Sequence, residues 1–409
     1  MNASETKLVA ASAIFLGTYA VLALGRLPGL RIDRTGAAII GASLMLAFGV
    51  LTVEEAYAAI DYKTIVLLFG MMIVVANLRL SGFFTFAAAA IIEHLHRPIA
   101  LLGAVVAVAG VFSAFFVNDT ICLALTPLIA GLTRAAGLNP VPYLLAVAMA
   151  SNIGSVATIT GNPQNMMIGA FSGIPYREFS AALAPVAIFG MFICFGAIAL
   201  LYRRELGAHA AVCPSRRIVR VNRVMMWKSL VVSGGMILFF FLGWPVAQVA
   251  LIGGAVLLIT RRVKPQKVYH EIDWPLLVLF IGLFIVVAGI EKALAAEGWL
   301  QQTSQFPLYR QGVLTTITAI LSNLLGNVPA VLVLRPVVAE LPNPQHAWLI
   351  VAMASTLAGN LTLLGSVANL IVVERARREN IHISFRDYLK AGLPLGTLSL
   401  AAGMLFLWD

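Results

Sequence analysis

Long apolar blocks dominate the sequence and limit what it can fold into. Blocks of about 15 to 22 mostly apolar residues recur along the whole chain, and such a block is long enough to cross a bilayer as a helix. Of the 409 residues, 60% are hydrophobic and only 11% are charged, and the mean hydropathy is +0.92. These values lie far from those of a soluble domain. The sequence therefore predicts an all-α polytopic membrane protein.

The same pattern occurs twice in the chain. IDYKTIVLLFGMMIVVA from Ile60 matches IDWPLLVLFIGLFIVVA from Ile272. Further along, the block that contains FFVNDT matches the block that contains LLGNVP, and VAMASNIGSVATITGNPQN matches VAMASTLAGNLTLLGSVAN. Because the three matches keep their order and include polar, Gly and Pro positions, we predict a duplicated architecture.

The duplication divides the chain into two repeats, residues 1–202 and 229–409, joined by a basic linker at 203–228. Each repeat is predicted to hold five transmembrane helices, one re-entrant hairpin and one broken helix. In chain order, the hairpins and broken helices cover 99–132, 141–171, 310–341 and 347–373.

The charge distribution predicts the orientation of the repeats. If the hairpins turn back within the membrane, each repeat crosses it five times and the two repeats are inverted. Of the 28 Lys and Arg residues, 22 then fall on one side, and an excess of Lys and Arg marks the cytoplasmic side. We therefore expect a multi-pass protein of the inner (cytoplasmic) membrane, with both termini outside the cytoplasm and the linker inside.

Four polar interruptions lie within these apolar segments. Two are hairpin tips, at Asn118-Asp119-Thr120 and at 326–329, and two lie in the broken helices. Irregular backbone at membrane depth needs shelter from protein or a water-filled cavity, and in inverted-repeat transporters such breaks form the solute site near the midplane. The alternative is that these polar groups only hold helices together. The predicted substrate-binding residues are Asn118, Thr120, Thr158, Thr160, Gly161, Asn162, Asn165, Asn327, Asn360, Thr362, Gly365, Ser366 and Asn369.

Asp119 is the predicted proton-coupling residue. A carboxylate at mid-membrane costs at least about 2.5–3.5 kcal/mol on insertion scales and usually marks function. Burial favours its neutral form, which suits binding and release of a proton. Arg335, two helical turns beyond Asn327, is a candidate charge partner. It could instead attract an anionic solute or hold the second hairpin in place.

Several other classes of protein fit the sequence poorly. The net charge of +10 belongs to a chain without a module that would bind nucleic acid. Cys122, Cys194 and Cys213 are isolated, so no zinc site or disulfide framework is predicted. The spans contain no HExxH motif, no paired Asp and no Ser/His/Asp arrangement, so we expect no enzyme, no metal and no cofactor. No Walker motif is present, so direct use of ATP is not predicted.

These motifs resemble the ion transporter superfamily, which includes ArsB arsenite pumps, NhaD sodium/proton antiporters, citrate carriers and divalent anion/sodium symporters. FFVNDTICLALTPLI and LSNLLGNVPAVLV resemble the two hairpins of ArsB, and LTLLGSVANLIV with RARRENIHISFRDY is similar to its end. The dicarboxylate symporters carry Ser-Asn-Thr at both tips, whereas this chain has Asn-Asp-Thr and Asn-Val-Pro.

The resemblance to ArsB implies alternating-access export of arsenite or antimonite in exchange for protons. An Asp in the site would also repel a carboxylate unless it were protonated or paired. The alternatives are a proton- or sodium-coupled carrier of small anions or carboxylates, a sodium/proton antiporter, and a channel. The coupling ion is thus a proton or sodium. A homodimer and an accessory ATPase stay open as partners.

Overall fold

The computed structural model describes residues 3–25, 32–92, 97–206, 221–296 and 308–408. In these ranges the regular structure consists of helices, together with one turn of 3-10 helix at Leu363–Gly365. The centre of the predicted linker, 207–220 with Cys213, lies outside the described residues. The α-helices, numbered α1 to α20, are Ala3–Leu24, Arg34–Ala47, Val53–Ala59, Tyr62–Ser81, Phe83–Ile92, Pro98–Phe115, Asn118–Ala135, Val141–Ser155, Pro163–Ser172, Tyr176–Leu201, Arg203–Leu206, Arg223–Phe241, Val246–Leu258, Pro265–Tyr269, Trp274–Ala296, Gln311–Leu325, Asn327–Ala339, Pro344–Ala358, Val367–Arg378 and Phe385–Phe406.

Seven of the described helices are long and apolar enough to cross a membrane, which confirms the predicted all-α multi-pass fold class. They are Glu5–Leu24, Tyr62–Ser81, Pro98–Phe115, Tyr176–Leu201, Arg223–Phe241, Trp274–Ala295 and Phe385–Phe406. Shorter apolar helices of 10–17 residues lie between them. Length alone places Pro98–Phe115, the first helix of a predicted re-entrant hairpin, among the seven. Its counterpart in the second repeat, Gln311–Leu325, is shorter.

The duplicated Ile-Asp dipeptide starts the same helix in each repeat. Asp61 precedes α4, and its Oδ1 accepts a hydrogen bond from the backbone N–H of Thr64 at 3.0 Å. Asp273 precedes α15, and its Oδ1 accepts from the backbone N–H of Leu276 at 3.0 Å. An Asp that accepts from the first turn supplies a partner for an otherwise unsatisfied donor.

The two repeats exchange helices. Helix α4 packs against α13 of the second repeat, and the equivalent α15 packs against α2 of the first repeat. Glycine permits both contacts: a Cβ atom on Gly70 would lie 2.6 Å from the carbonyl carbon of Ala250, and one on Gly282 would lie 2.8 Å from that of Ala38. Small residues let membrane helices approach this closely. The repeats therefore form one interlocked body.

The predicted interruptions are breaks between short helices. Phe116 and Val117 separate α6 from α7, and Gly326, at φ +97°, separates α16 from α17. Residues 156–162 separate α8 from α9, and residues 359–366 separate α18 from α19. The helices within each hairpin pack against one another.

Candidate solute site

Both hairpin tips and both helix breaks border one cavity of about 80 Å³. The first tip contributes Asn118 and Asp119, and the second contributes residues 326–329. Pro163 and Gln164 are the first residues after the first break, and residues 364–367 span the end of the second break and the start of α19. The four interruptions singled out in the sequence thus meet at one place, where they would have to meet to form a common site.

Two of the described residues that border this cavity carry a charge, Arg34 and Asp119. The Arg34 guanidinium donates from Nε to the carbonyl oxygen of Leu22 at 3.1 Å. Asp119 is partly buried, and its carboxylate forms neither a hydrogen bond nor an ion pair within the described part of the chain. The cavity wall therefore has no net formal charge when Asp119 is ionised.

The side-chain amide of Asn152 lies at the centre of the polar contacts between the repeats. Its Nδ2 donates to Oδ1 of Asn360 at 2.9 Å and to Oδ1 of Asn369 at 3.1 Å. Its Oδ1 accepts from Nδ2 of Asn118 at 3.0 Å and from Oγ of Ser366 at 3.1 Å. Asn152 is fully buried. One amide thus joins a hairpin tip of the first repeat to the broken helix of the second.

Equivalent residues of the two repeats make reciprocal contacts. Asn152 aligns with Thr356, and Asn162 aligns with Ser366, at the same offset of 204 residues. Ser366 Oγ donates to Asn152 Oδ1 at 3.1 Å, and Asn162 Nδ2 donates to Thr356 Oγ1 at 3.2 Å. A two-fold relation between two units produces reciprocal pairs of this kind.

Asn165 and Asn369 close the two helix breaks. The Asn165 amide donates to the backbone carbonyl oxygens ten and seven residues earlier, at 3.1 and 3.0 Å. The Asn369 amide donates to the carbonyl oxygens at the same two spacings, at 2.7 and 3.2 Å. A broken helix leaves such carbonyls without intrahelical partners. Neither Asn borders the cavity; each holds the backbone of its own break.

The remaining predicted residues of the breaks mostly contact protein. Thr158 donates to the carbonyl oxygen of Ala114, and Thr362 donates to Oδ1 of Asn323 at 2.9 Å. Thr158 is equivalent to Thr362, and Ala114 is equivalent to Asn323, so each repeat makes the same contact. The Thr160 hydroxyl lies 2.9 Å from that of Tyr176.

Two backbone contacts complete the contacts around the first break. The Gly161 carbonyl accepts from the backbone N–H of Asn118 at 3.0 Å, and Asn360 Nδ2 donates to the Met149 carbonyl at 3.1 Å. The predicted substrate-binding residues that border the cavity are Asn118, Asn327, Gly365 and Ser366, while Thr120 borders a neighbouring cavity. For the rest, the contacts match the helix-holding alternative.

Asn327 at the second tip is surrounded by hydrogen-bonding groups. The carbonyl oxygens of Ser355 and Gly365 and the hydroxyl of Ser322 face one side of its amide, and Gln164 Nε2 faces the other. With the amide nitrogen assigned to the oxygen-rich side, the four contacts measure 2.6–3.1 Å. At the first tip, the equivalent Asn118 has no partner for its Oδ1 among the described residues.

Arg335 does not form the ion pair with Asp119 that the sequence suggested. Its guanidinium carbon lies 4.6 Å from the centroid of the Phe171 ring, and it attracts the carboxylate of Glu291 electrostatically. Because Arg335 lies two turns along α17 from the tip, it is displaced from the cavity that Asp119 borders. Its contact with Phe171 fits the alternative role of holding the second hairpin.

Sequence reasoning missed Asn152, Gln164, Thr356 and the position of Arg34. The first three lie in the aligned break segments, so their place in the repeat was a usable signal. Arg34 was counted only as a charge beside the membrane, and nothing in its flanking sequence brings it to the cavity.

Cys122 and Cys194 are free and buried. The described residues contain no group of three or more His, Cys, Asp or Glu placed to hold a metal ion.

The two repeats exchange membrane helices around a small cavity, and two hairpin tips and two helix breaks meet at this cavity. This arrangement defines a membrane transporter. The family model of the CitMHS citrate transporters matches residues 19–358. The chain therefore belongs to the CitMHS family, within the ion transporter superfamily that its motifs resemble.

Three relatives are similar over almost their whole length. "Silicon efflux transporter LSI3" of Oryza sativa subsp. japonica is 31% identical over 98% of both chains. "46 kDa membrane protein" of Mycobacterium leprae is 28% identical over 98% of both. "Putative transporter arsB" of Dictyostelium discoideum is 25% identical over 92% of this chain and 87% of that one.

Two solved transporters share the fold. The YdaH transporter of Alcanivorax borkumensis, whose crystal structure is described as revealing an unusual topology, superposes with a TM-score of 0.60 at 17% identity. The match covers 100% of this chain and 97% of YdaH. MtrF of Neisseria gonorrhoeae superposes with a TM-score of 0.55 at 12% identity, over 98% and 94% of the two chains.

Proposed function

We propose that this chain is a secondary transporter that exports a small uncharged polyhydroxyl solute, arsenous or antimonous acid, in exchange for protons. The observation that carries the proposal is the cavity where the four interruptions meet. Its volume of about 80 Å³ is well below the roughly 300–1,000 Å³ of pockets for drug-sized ligands. A solute of a few non-hydrogen atoms fits this size.

The chemistry of the cavity wall suits a neutral hydroxylated solute. Arg34 and Asp119 balance in charge, so the wall does not select strongly for either sign. Amide and hydroxyl side chains border the cavity, from Asn118, Gln164, Asn327 and Ser366, and such groups exchange hydrogen bonds with the hydroxyl groups of a solute. Two relatives are named as a silicon efflux transporter and a putative arsB transporter, which supports export of a small solute.

In this proposal Asp119 carries the exchanged proton. A carboxylate without an ionic partner in a partly buried position binds and releases protons more readily than one locked in an ion pair. Because Asp119 borders the solute cavity, its protonation changes the hydrogen-bonding groups that the wall offers to the solute, so solute and proton binding influence one another.

A proton-coupled carboxylate carrier is the second candidate. Arg34 borders the cavity, and its guanidinium could pair with a carboxylate; the family name also includes citrate. The two candidates respond differently to Arg34→Gln. This change would abolish carboxylate transport, whereas transport of neutral arsenous acid would persist.

The test measures uptake of arsenite, antimonite and citrate into everted membrane vesicles with an imposed proton gradient. We expect saturable uptake of arsenite and antimonite that requires the gradient, with vesicles lacking the protein as the control. Uptake of citrate without uptake of arsenite would overturn the proposal and favour the second candidate.

We also propose the topology that the charge distribution predicts, with the linker in the cytoplasm and both termini outside. Besides Arg34, which borders the solute cavity, 21 of the 28 Lys and Arg residues then fall on the linker side and support it. Labelling of single cysteines introduced after residue 408 and at residue 221 in intact cells tests it. Impermeant reagent should label only the former.

A further inference from the structure

Asp119 borders a second cavity in addition to the solute cavity. This second cavity has a volume of about 50 Å³, and its polar lining residues are Asp119, Thr120, Glu271 and Asp273. A water molecule needs at least about 10–15 Å³ of such volume, so the cavity has room for about three. Leu276 borders both cavities. Asp119 is therefore a wall residue of both cavities.

The two other acidic residues of the second cavity differ in their contacts. Glu271 forms an ion pair with Arg79, at 2.8 Å between guanidinium nitrogen and carboxylate oxygen. Asp273 forms no ion pair within the described ranges, and it shares the wall of the second cavity with Asp119. Asp273 is also exposed at the start of α15. Asp273 is thus exposed to solvent and also part of the wall of the cavity that Asp119 borders.

Few other titratable groups lie near Asp119. Helices α5 and α6, which pack against α7, carry no titratable side chain in their described parts. On α7 itself, Cys122 lies one turn beyond Asp119, with its thiol 2.9 Å from the Ser151 hydroxyl of α8. Arg34 borders the solute cavity together with Asp119, and Arg79 of α4 is bound to Glu271.

The charged groups of the other neighbouring helices lie at the far end of α7. Tyr143 of α8 is bound to the Pro98 carbonyl at 3.2 Å. Arg134, at the end of α7, pairs with Glu379 at 3.6 Å, beside the end of α19. The same end of α19 carries Glu374, Arg375, Arg377 and Arg378. Asp273 is therefore the solvent-exposed titratable group that shares a cavity with Asp119 and is not held in an ion pair.

We propose that Asp273 passes protons between solvent and Asp119 through the second cavity, on a route separate from that of the solute. This inference rests on the proposed proton exchange. In the transfer step the O–H bond of the Asp273 carboxyl breaks and an O–H bond forms on the Asp119 carboxylate, while the total charge of the pair stays constant. A separate route lets a proton reach Asp119 without passing through the solute cavity.

The duplicated architecture supplies a matched control. Asp61 holds the equivalent position in the first repeat and accepts the same type of backbone hydrogen bond, at the same distance of 3.0 Å. The hairpin position equivalent to Asp119 is Val328, which carries no proton. Asn caps helices about as well as Asp. Asp61→Asn and Asp273→Asn therefore make the same local change, and only the second removes a neighbour of Asp119.

The test follows protonation of Asp119 directly, without a solute. The purified full-length protein in lipid nanodiscs is subjected to a rapid pH jump, and the carbonyl stretch of protonated carboxyl groups is recorded by time-resolved infrared spectroscopy. The band that disappears in Asp119→Asn belongs to Asp119. We expect its rate of change to fall about 10²-fold in Asp273→Asn, the low end of what a positioned proton-transfer group contributes. The rate should stay at the wild-type value in Asp61→Asn.

Two results would overturn the inference. One is a wild-type rate in Asp273→Asn, which would show that protons reach Asp119 by another route. The other is the absence of a titrating Asp119 band between about pH 4 and about pH 9. Failure of the proposed solute would appear separately, as missing arsenite uptake in wild-type vesicles, so the two failures are distinguishable.

Discussion

Replacing Asn152 by Ala tests whether one amide holds the two repeats together at the site. The change removes the four hydrogen bonds of 2.9–3.1 Å that the Asn152 side chain makes. Side-chain hydrogen bonds between membrane helices contribute about 0.6 kcal/mol each on average, which gives about 2.4 kcal/mol. Leaving buried partners without hydrogen bonds adds to this cost. We expect the free energy of unfolding to fall by about 2–4 kcal/mol.

Asn77 is a matched control for Asn152. It is equally buried, but its Nδ2 makes a single hydrogen bond of 2.8 Å, to the Ile73 carbonyl of the same helix. Asn77→Ala should therefore lower the free energy of unfolding by about 0.5–1 kcal/mol. Reversible denaturation of both purified variants in mixed micelles measures the difference. Equal losses for the two variants would refute the reasoning, because Asn152 would then contribute no more than a contact within one helix.

Three further changes test other parts of the structure. Asn165→Ala removes the amide that closes the first helix break. Arsenite affinity, measured by equilibrium binding, should fall although Asn165 lies outside the cavity wall. Unchanged affinity would show that arsenite binding does not depend on the hydrogen bonds of Asn165. Gly70→Ala places a methyl group against the backbone of the facing helix and should lower the free energy of unfolding by about 1–3 kcal/mol. The added methyl group of Gly234→Ala would lie in open space, so this control variant should not be destabilised. Thermal unfolding in detergent compares the two variants. The Lys292 ammonium, 2.6 Å from both carboxylate oxygens of Glu55, lowers the pKa of this exposed carboxyl below its usual 4.5. The ion pair therefore stabilises the fold above the usual pKa and ceases to do so as pH falls through the lowered pKa. The difference in melting temperature between wild type and Lys292→Ala should therefore vanish below the lowered pKa of Glu55. A difference that persists below that pH would contradict the stabilising role of the ion pair.

The positions of the helix breaks could be predicted from the sequence because the breaks depend on local chemistry. Glycine, proline and amide residues in an otherwise apolar segment disfavour a continuous helix. Matching the two copies then showed that the breaks come in pairs. For this reason the sequence predicts that Asn118, Asn327 and Ser366 lie near one another, and in the structure all three border the solute cavity.

Which side chains face the cavity could not be predicted, because that depends on the path of the backbone through each break. Asn165 and Asn118 have the same side chain, yet the first holds backbone carbonyls and the second borders the cavity. Arg34 reaches the cavity because α2 packs against a helix of the other repeat, a contact between distant parts of the chain. For Arg335, the spacing from the hairpin tip gave its distance along the helix but not its neighbour, Phe171.

The most direct test of proton-coupled export is arsenite-driven proton movement in everted vesicles with an acidic interior. A pH-sensitive dye inside the vesicles reports protons that leave as arsenite enters. We expect proton efflux with the wild-type protein and none with Asp119→Asn, although this variant should fold and insert normally. Asp119→Glu, which keeps a carboxylate, should retain part of the flux. Full arsenite flux in Asp119→Asn with the pH dependence of the wild type would contradict the role assigned to Asp119.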